Sequence, residues 1–164
     1  MIQHIMFQKR DLAYLLFFIT HVPIILLIDT VPLLPTILQT NLSHRLRDFY
    51  ITTYRDKFFE DPPTWFTVFI WMELLYHLPI SIWAVRGLLK DHPLVPVHLL
   101  VFGIQVFITT LTSLVVVWSW TDRSVAEKQQ LTMLYAPYMA LGGFMALDMI
   151  FRLRDKLMPK SKRE

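Results

Sequence analysis

The sequence predicts an all-α membrane protein with four transmembrane helices, and three observations predict it. The chain of 164 residues is 54% apolar and its mean hydropathy is positive. Only 18% of its residues are charged, against about 25% in ordinary soluble domains. Those charges are clustered at 9–11, 44–61, 86–91, 122–128 and from 152 onward, with long runs almost free of charge between them. A soluble helix or strand would intersperse charge at its own period. The length suits a single membrane domain over 1–164, with 152–164 as a basic tail.

Composition also excludes several classes. The chain has no cysteine, so disulfides and thiolate metal sites are ruled out. No cofactor-binding motif and no metal site is expected. The net charge is only +3, with the basic residues mostly at the ends of apolar runs. They are topology markers, not a nucleic-acid footprint.

The spans follow in order. Span 1 covers about 11–29, DLAYLLFFITHVPIILLID, close to the ~20 residues that cross ~30 Å of hydrocarbon. A cleaved signal peptide is the competing assignment, but no small-residue cleavage site follows; Thr30-Val31-Pro32-Leu33-Leu34-Pro35 does. Span 2 covers about 65–89 and opens after Pro62-Pro63, where a missing N–H is harmless. Trp65 and Trp71 suit one interface and Trp83 the other. Span 3 covers about 94–120 and ends in Trp118 and Trp120. Span 4 covers about 131–151 and is closed by Arg152 and Arg154.

The longest connection, Thr30 to Pro63, has partial helical spacing at Leu42, Leu46, Phe49 and Ile51. It predicts a short amphipathic helix against the mouth of the bundle. With four spans both termini share one side. That side collects Lys9, Arg10, Arg86, Lys90, Arg152, Arg154, Lys156, Lys160, Lys162 and Arg163, against Arg45, Arg47, Arg55, Lys57, Arg123 and Lys128 on the other. The bias predicts cytosolic termini. The final Lys160-Ser161-Lys162-Arg163-Glu164 has the K-x-K-x-x pattern of a retrieval signal of endoplasmic-reticulum membrane proteins, or is a solvated basic tail. An Asn41-Leu42-Ser43 sequon lies in the loop assigned to the lumen.

Four carboxylates need an explanation, because a charge at the bilayer centre costs ~2.5–3.5 kcal/mol on insertion scales. Glu73 lies eight residues into span 2, within FIWMELLYHLP, and His77 follows four residues later on the same face. Such a pair can share a proton, bind a hydroxyl or do acid–base chemistry, or it is a satisfied structural pair. Asp29 closes span 1 and is either interfacial or functional. His21 lies two turns below it, and a kink at Pro23 would open space beside both. Asp56, between Arg55 and Lys57, is a solvated loop charge by pattern alone. Asp148 precedes Arg152 by four residues, the spacing of an interfacial ion pair.

Aromatic residues accompany these positions: Phe49, Tyr50, Tyr54, Trp71, Tyr76, Tyr135 and Tyr138. Aromatic faces beside a carboxylate suit an ammonium ligand, although in membrane spans such residues more often pack or form belts. Pro137 in Tyr135-Ala136-Pro137-Tyr138 removes a backbone bond from span 4 and predicts a kink. Gln105, Thr109, Thr110, Thr112 and Ser113 offer interhelical hydrogen bonds in span 3.

Five segments in order, THVPIILLID, YRDKFFEDPPTWF, IWMELLYHLP, TTLTS and LYAPY, resemble the EXPERA membrane family. The member type they most resemble is the sigma-2 receptor with its fungal relatives. The resemblance covers nearly the whole chain. It implies a four-helix protein of the endoplasmic-reticulum membrane, a homodimer, with a ligand cavity open to the bilayer. It assigns Asp29 to the cationic amine of a ligand, Asp56 to its support, and Glu73 to sharing a proton with Asp29. It matches Tyr135, Tyr138, Thr109 and Thr110 to the family's tyrosine and threonine elements. It thereby replaces the solvated assignment of Asp56.

The expected function is therefore binding of sterols or lipophilic amines within the lipid bilayer. The ligand residues are Asp29, Asp56, Glu73, His77, His21, Phe49, Tyr54, Thr110, Tyr135 and Tyr138, and none is assigned a catalytic role. Two alternatives stand beside it. The superfamily includes sterol Δ8–Δ7 isomerases, and Glu73 with His77 resembles part of their machinery; His77 departs from the glutamine common in sigma-2 receptors. Fungal relatives are linked to mitochondrial precursor targeting at the endoplasmic-reticulum surface.

Overall fold

A computed structural model describes residues 2–158. The described residues are overwhelmingly helical and contain no strand. Four helices are long and apolar enough to cross a membrane: Lys9–Asp29, Thr64–Leu89, Val95–Ser119 and Val125–Leu157. The protein is a multi-pass membrane protein, and the first three of these helices lie within a few residues of the expected spans. The last helix differs most, because it extends beyond the apolar stretch at both ends. The tail pattern at Lys160 and Lys162 lies outside the described residues.

The chain forms two compact units, Met1–His92 and Pro93–Glu164. In the first, α1 (Ile2–Ile24) packs on α5 (Leu78–Leu89). Between them in sequence come α2 (Asn41–Tyr54), α3 (Lys57–Glu60) and α4 (Thr64–Met72). Two π-helical turns interrupt the spans, Ile25–Asp29 after α1 and Glu73–His77 between α4 and α5. Short 3₁₀ turns at Val31–Leu33 and Thr36–Leu38 lead into α2.

The predicted loop helix is α2, and its start has a local cause. Thr40 accepts a hydrogen bond from the Ser43 N–H at 3.1 Å, and the Thr40 N–H donates to Ser43 Oγ at 3.0 Å. This reciprocal capping satisfies two donors that the first turn leaves without helical partners. The helix ends at Arg55, whose φ of 49° is left-handed. That reversal turns the chain so that Asp56 begins α3 as its N-cap.

In the second unit α6 (Val95–Ser119) and α7 (Val125–Leu157) form a hairpin. Its closeness is set by glycines. A Cβ on Gly103 would lie 2.7 Å from the Gly142 carbonyl oxygen, and one on Gly142 would lie 3.0 Å from the Gly103 oxygen. Small residues let two membrane helices bring their backbones together, and Gly142 with Ala146 supplies that stripe on α7. The α7 helix runs without interruption through Pro137, so the proline is accommodated within a continuous helix. Asp148 pairs with Arg152 at 2.8 Å, as the spacing predicts. The pair is buried within the protein. Each charge compensates the other where neither could stand alone.

Candidate ligand site

The two carboxylates singled out within the spans both lie on π turns. Asp29 is the last residue of Ile25–Asp29, and Glu73 is the first of Glu73–His77. A π turn widens the helix and shifts the side chains that follow it, and such turns gather at functional sites. The second turn has a cause in the sequence. Pro79 lacks an N–H and its ring crowds the carbonyl four residues back, Leu75, in the middle of the turn. At the first turn the Thr30 N–H and the Thr30 hydroxyl both donate to the Ile25 carbonyl, at 3.0 and 2.8 Å. Thr30 is fully buried, so this closure is protected from water.

Asp29 interacts with Glu73, Arg47 and Asp56. Asp29 and Glu73 are half-buried, whereas Asp56 has no exposed surface. The assignment of Asp56 to solvent, which sequence pattern alone favoured, is therefore wrong. Its Oδ2 accepts the Tyr50 hydroxyl at 2.8 Å and its Oδ1 accepts the Phe58 N–H at 3.0 Å. Those bonds replace hydration of the buried charge. Asp56 is thereby tied to α2 and to the start of α3.

Arg47, on α2, was counted only as a topology marker, yet it ties this region together. Its Nη1 donates to the Ile28 carbonyl at 3.0 Å and its Nη2 to the Phe59 carbonyl at 3.2 Å. Its guanidinium also lies 5.0 Å from the centre of the Phe59 ring. Burial depresses the Arg47 guanidinium below the ordinary arginine value, and Asp29 is the strongest of the acidic groups that oppose this. The Ile28 carbonyl stands at a helix end, where it lacks an in-helix donor. Only the alternation of charge in LSHRLRDF hinted at such a role, and it does not distinguish Arg47 from Arg45.

His77 ends the second π turn and is buried, as is His21 on α1. Their ring centres are 6.5 Å apart, and His21 stacks on Phe17 at 5.0 Å. The two histidines expected beside the carboxylates therefore meet across α1 and the second π turn. Ser81, one helical turn beyond His77, is fully buried, and its hydroxyl has no hydrogen-bond partner among the described residues. The sequence analysis passed over it.

The aromatic candidates divide. Tyr54 is half-buried, with its ring 5.1 Å from that of Tyr50, so it adjoins the Asp56 arm. Phe49 is 63% exposed. Thr110, Tyr135 and Tyr138 belong to the second unit; Thr110 is buried on α6, and the tyrosines are half-buried on α7. No group of three or more metal-ligating side chains is found among the described residues.

Comparison with known proteins identifies the family. The family model EXPERA (EXPanded EBP superfamily) matches residues 42–149. The chain is 33% identical over 148 residues to Efficient mitochondria targeting-associated protein 19 of Schizosaccharomyces pombe, covering 87% of this chain and 76% of that one. It is 27% identical over 153 residues to human Sigma intracellular receptor 2, covering 85% of each. It is 26% identical over 161 residues to the Xenopus tropicalis protein of the same name, covering 92% of this chain and 94% of that one. With its four apolar helices and a match across most of its length, this chain is a sigma-2 receptor-like member of the EXPERA family.

Proposed function

We propose that this protein binds sterols and lipophilic cationic amines at the endoplasmic-reticulum membrane and takes part in intracellular sterol handling. The observation that carries this is the placing of Asp29 and Glu73 on two π turns, within each other's electrostatic field. Carboxylates in apolar spans are retained for use. Two of them together favour a state with one proton between them, which leaves one negative charge for one ammonium ion. The amine sits against Asp29 and the apolar body of the ligand lies along the spans. The working form is a homodimer with both termini in the cytosol. Asp29→Asn should weaken binding of a lipophilic amine by roughly 100-fold, as expected for losing a buried charged partner. Equal affinity in wild type and variant would refute the proposal.

A second reading rests on Glu73 and His77 opening and closing one π turn. It makes the pair the acid and base of a sterol double-bond isomerase. Purified protein incubated with a Δ8 sterol should then yield the Δ7 product, and no turnover with binding intact would eliminate it. A third role is suggested by the name of the Schizosaccharomyces pombe relative: support of mitochondrial precursor targeting. Deleting the gene for this protein should then slow precursor import, and an unchanged import rate would dismiss it.

A further inference from the structure

The amine site has a positive charge of its own. Arg47 reaches from α2 to the carbonyl of Ile28, the residue before Asp29, and to the carbonyl of Phe59 on α3. Two fixed acceptors and the Phe59 ring at 5.0 Å hold its planar fork in place. A lysine would reach with a single point charge and could not bridge both carbonyls in that way. Asp29 lies within the guanidinium's field. Any ammonium ion that approaches Asp29 therefore enters the field of a resident cation.

We propose that Arg47 is the residue that sets this site's preference between neutral and cationic ligands, by occupying part of the negative field of Asp29. This rests on the amine-binding role proposed above and deepens it. Asp56 and Arg47 act on Asp29, and Asp29 acts on Glu73. With one proton on the Asp29–Glu73 pair, the negative charge that remains there lies in the field of Arg47. A cationic ligand can compensate that charge, and a neutral sterol leaves it to be held by hydrogen bonds. Removing Arg47 raises the net negative charge by one. Cations gain from that change and neutral ligands do not. In a medium of low effective dielectric the gain is larger than at a surface.

Arg47 also has a mechanical role, so the test must separate charge from strap. Arg47→Gln removes the charge and keeps amide donors for the carbonyls; Arg47→Lys keeps the charge and loses the fork. Each purified protein is titrated with a tritiated N-alkylpiperidine and with its uncharged cyclohexyl isostere, and the ratio of the two Kd values is the readout. Arg47→Gln should shift that ratio toward the amine by about tenfold or more, which is ~1.4 kcal/mol. Arg47→Lys should weaken both ligands while holding the ratio within about threefold of wild type, since its charge is intact. If Arg47→Gln weakens both ligands in equal proportion, Arg47 is only a strap and the proposal fails. If Arg47→Lys moves the ratio as far as Arg47→Gln does, charge is not the cause and the proposal fails. Arg47→Met, which keeps an apolar stem beside Phe59, replaces Arg47→Gln if that variant does not fold. Amine binding that depends on Asp29, with a ratio that Arg47→Gln leaves unchanged, overturns this inference alone. Wild type that takes neither ligand overturns the amine-binding role and this inference together.

Discussion

The Tyr50 hydroxyl donates to Asp56 Oδ2 at 2.8 Å, which joins the amphipathic helix α2 to the cap of α3. The other oxygen of the same carboxylate accepts the Phe58 N–H at 3.0 Å. One buried aspartate therefore ties α2 and α3 to each other. Asp56→Ala removes both bonds. It should destabilise the protein by ~2–3 kcal/mol, the sum of a lost N-cap and a lost hydrogen bond to a charged group. Asp56→Asn keeps an acceptor for the cap, and Tyr50→Phe keeps the cap entirely; each should cost ~1 kcal/mol. Thermal unfolding in detergent micelles measures the series. Equal melting temperatures for Asp56→Ala and wild type would contradict the described bonding.

Asp29 and Glu73 interact, but they differ in their neighbours. Asp29 lies in the fields of Arg47 and Asp56, and Glu73 in that of Asp29. Glu73→Gln should therefore preserve amine binding to within about tenfold, because Asp29 remains to carry the charge. Asp29→Asn should cost far more. A double variant no weaker than Asp29→Asn alone would show that the two act as one unit. Equilibrium binding of a lipophilic amine reads all three.

Pro79 shapes the turn that carries Glu73. Pro79→Ala restores a backbone donor and relieves crowding at the Leu75 carbonyl. The helix should become more regular and the protein more stable, by ~1 kcal/mol or more. Glu73 should rotate relative to α5, and amine affinity should drop by about tenfold, a common exchange of function for stability. Melting temperature and affinity that rise together would show that the π turn has no part in binding.

Gly103 sits against the Gly142 carbonyl, where an added Cβ would lie 2.7 Å from a backbone atom. No flexible side chain there can move aside. Gly103→Ala should destabilise the α6–α7 hairpin by ~1–3 kcal/mol, and Gly103→Leu by more. Unfolding of a protease-accessible reporter in the α6–α7 connection checks this. Gly143→Ala is the control, because its Cβ meets only the Phe107 ring, at 3.1 Å.

Much of this protein was legible in its sequence. Membrane spans are long and depend on composition, so Lys9–Asp29, Thr64–Leu89 and Val95–Ser119 lie within a few residues of the expected limits. Glu73 and His77 were recognised as neighbours because four residues separate them along one helix. That needs no tertiary information. The shape of the turn was less visible. Pro79 was present in the quoted motif, yet its effect on the Leu75 carbonyl was not drawn from it. The proline that was expected to kink, Pro137, lies in an uninterrupted helix.

The sequence by itself determined the spans, the amphipathic loop helix, the Asp148–Arg152 spacing and the presence of carboxylates in an apolar setting. These are local or compositional properties, set within one helix or by the cost of placing charge in lipid. Only the tertiary structure decided that Asp56 is buried, that Arg47 reaches Ile28 and Phe59, and that His21 meets His77. The physical reason is distance along the chain. Arg47 and Ile28 are 19 residues apart, so no helical period relates them. Flanked by Arg55 and Lys57, Asp56 has the local pattern of a surface charge. It becomes a buried acceptor only when the left-handed turn at Arg55 brings α3 back beneath Tyr50.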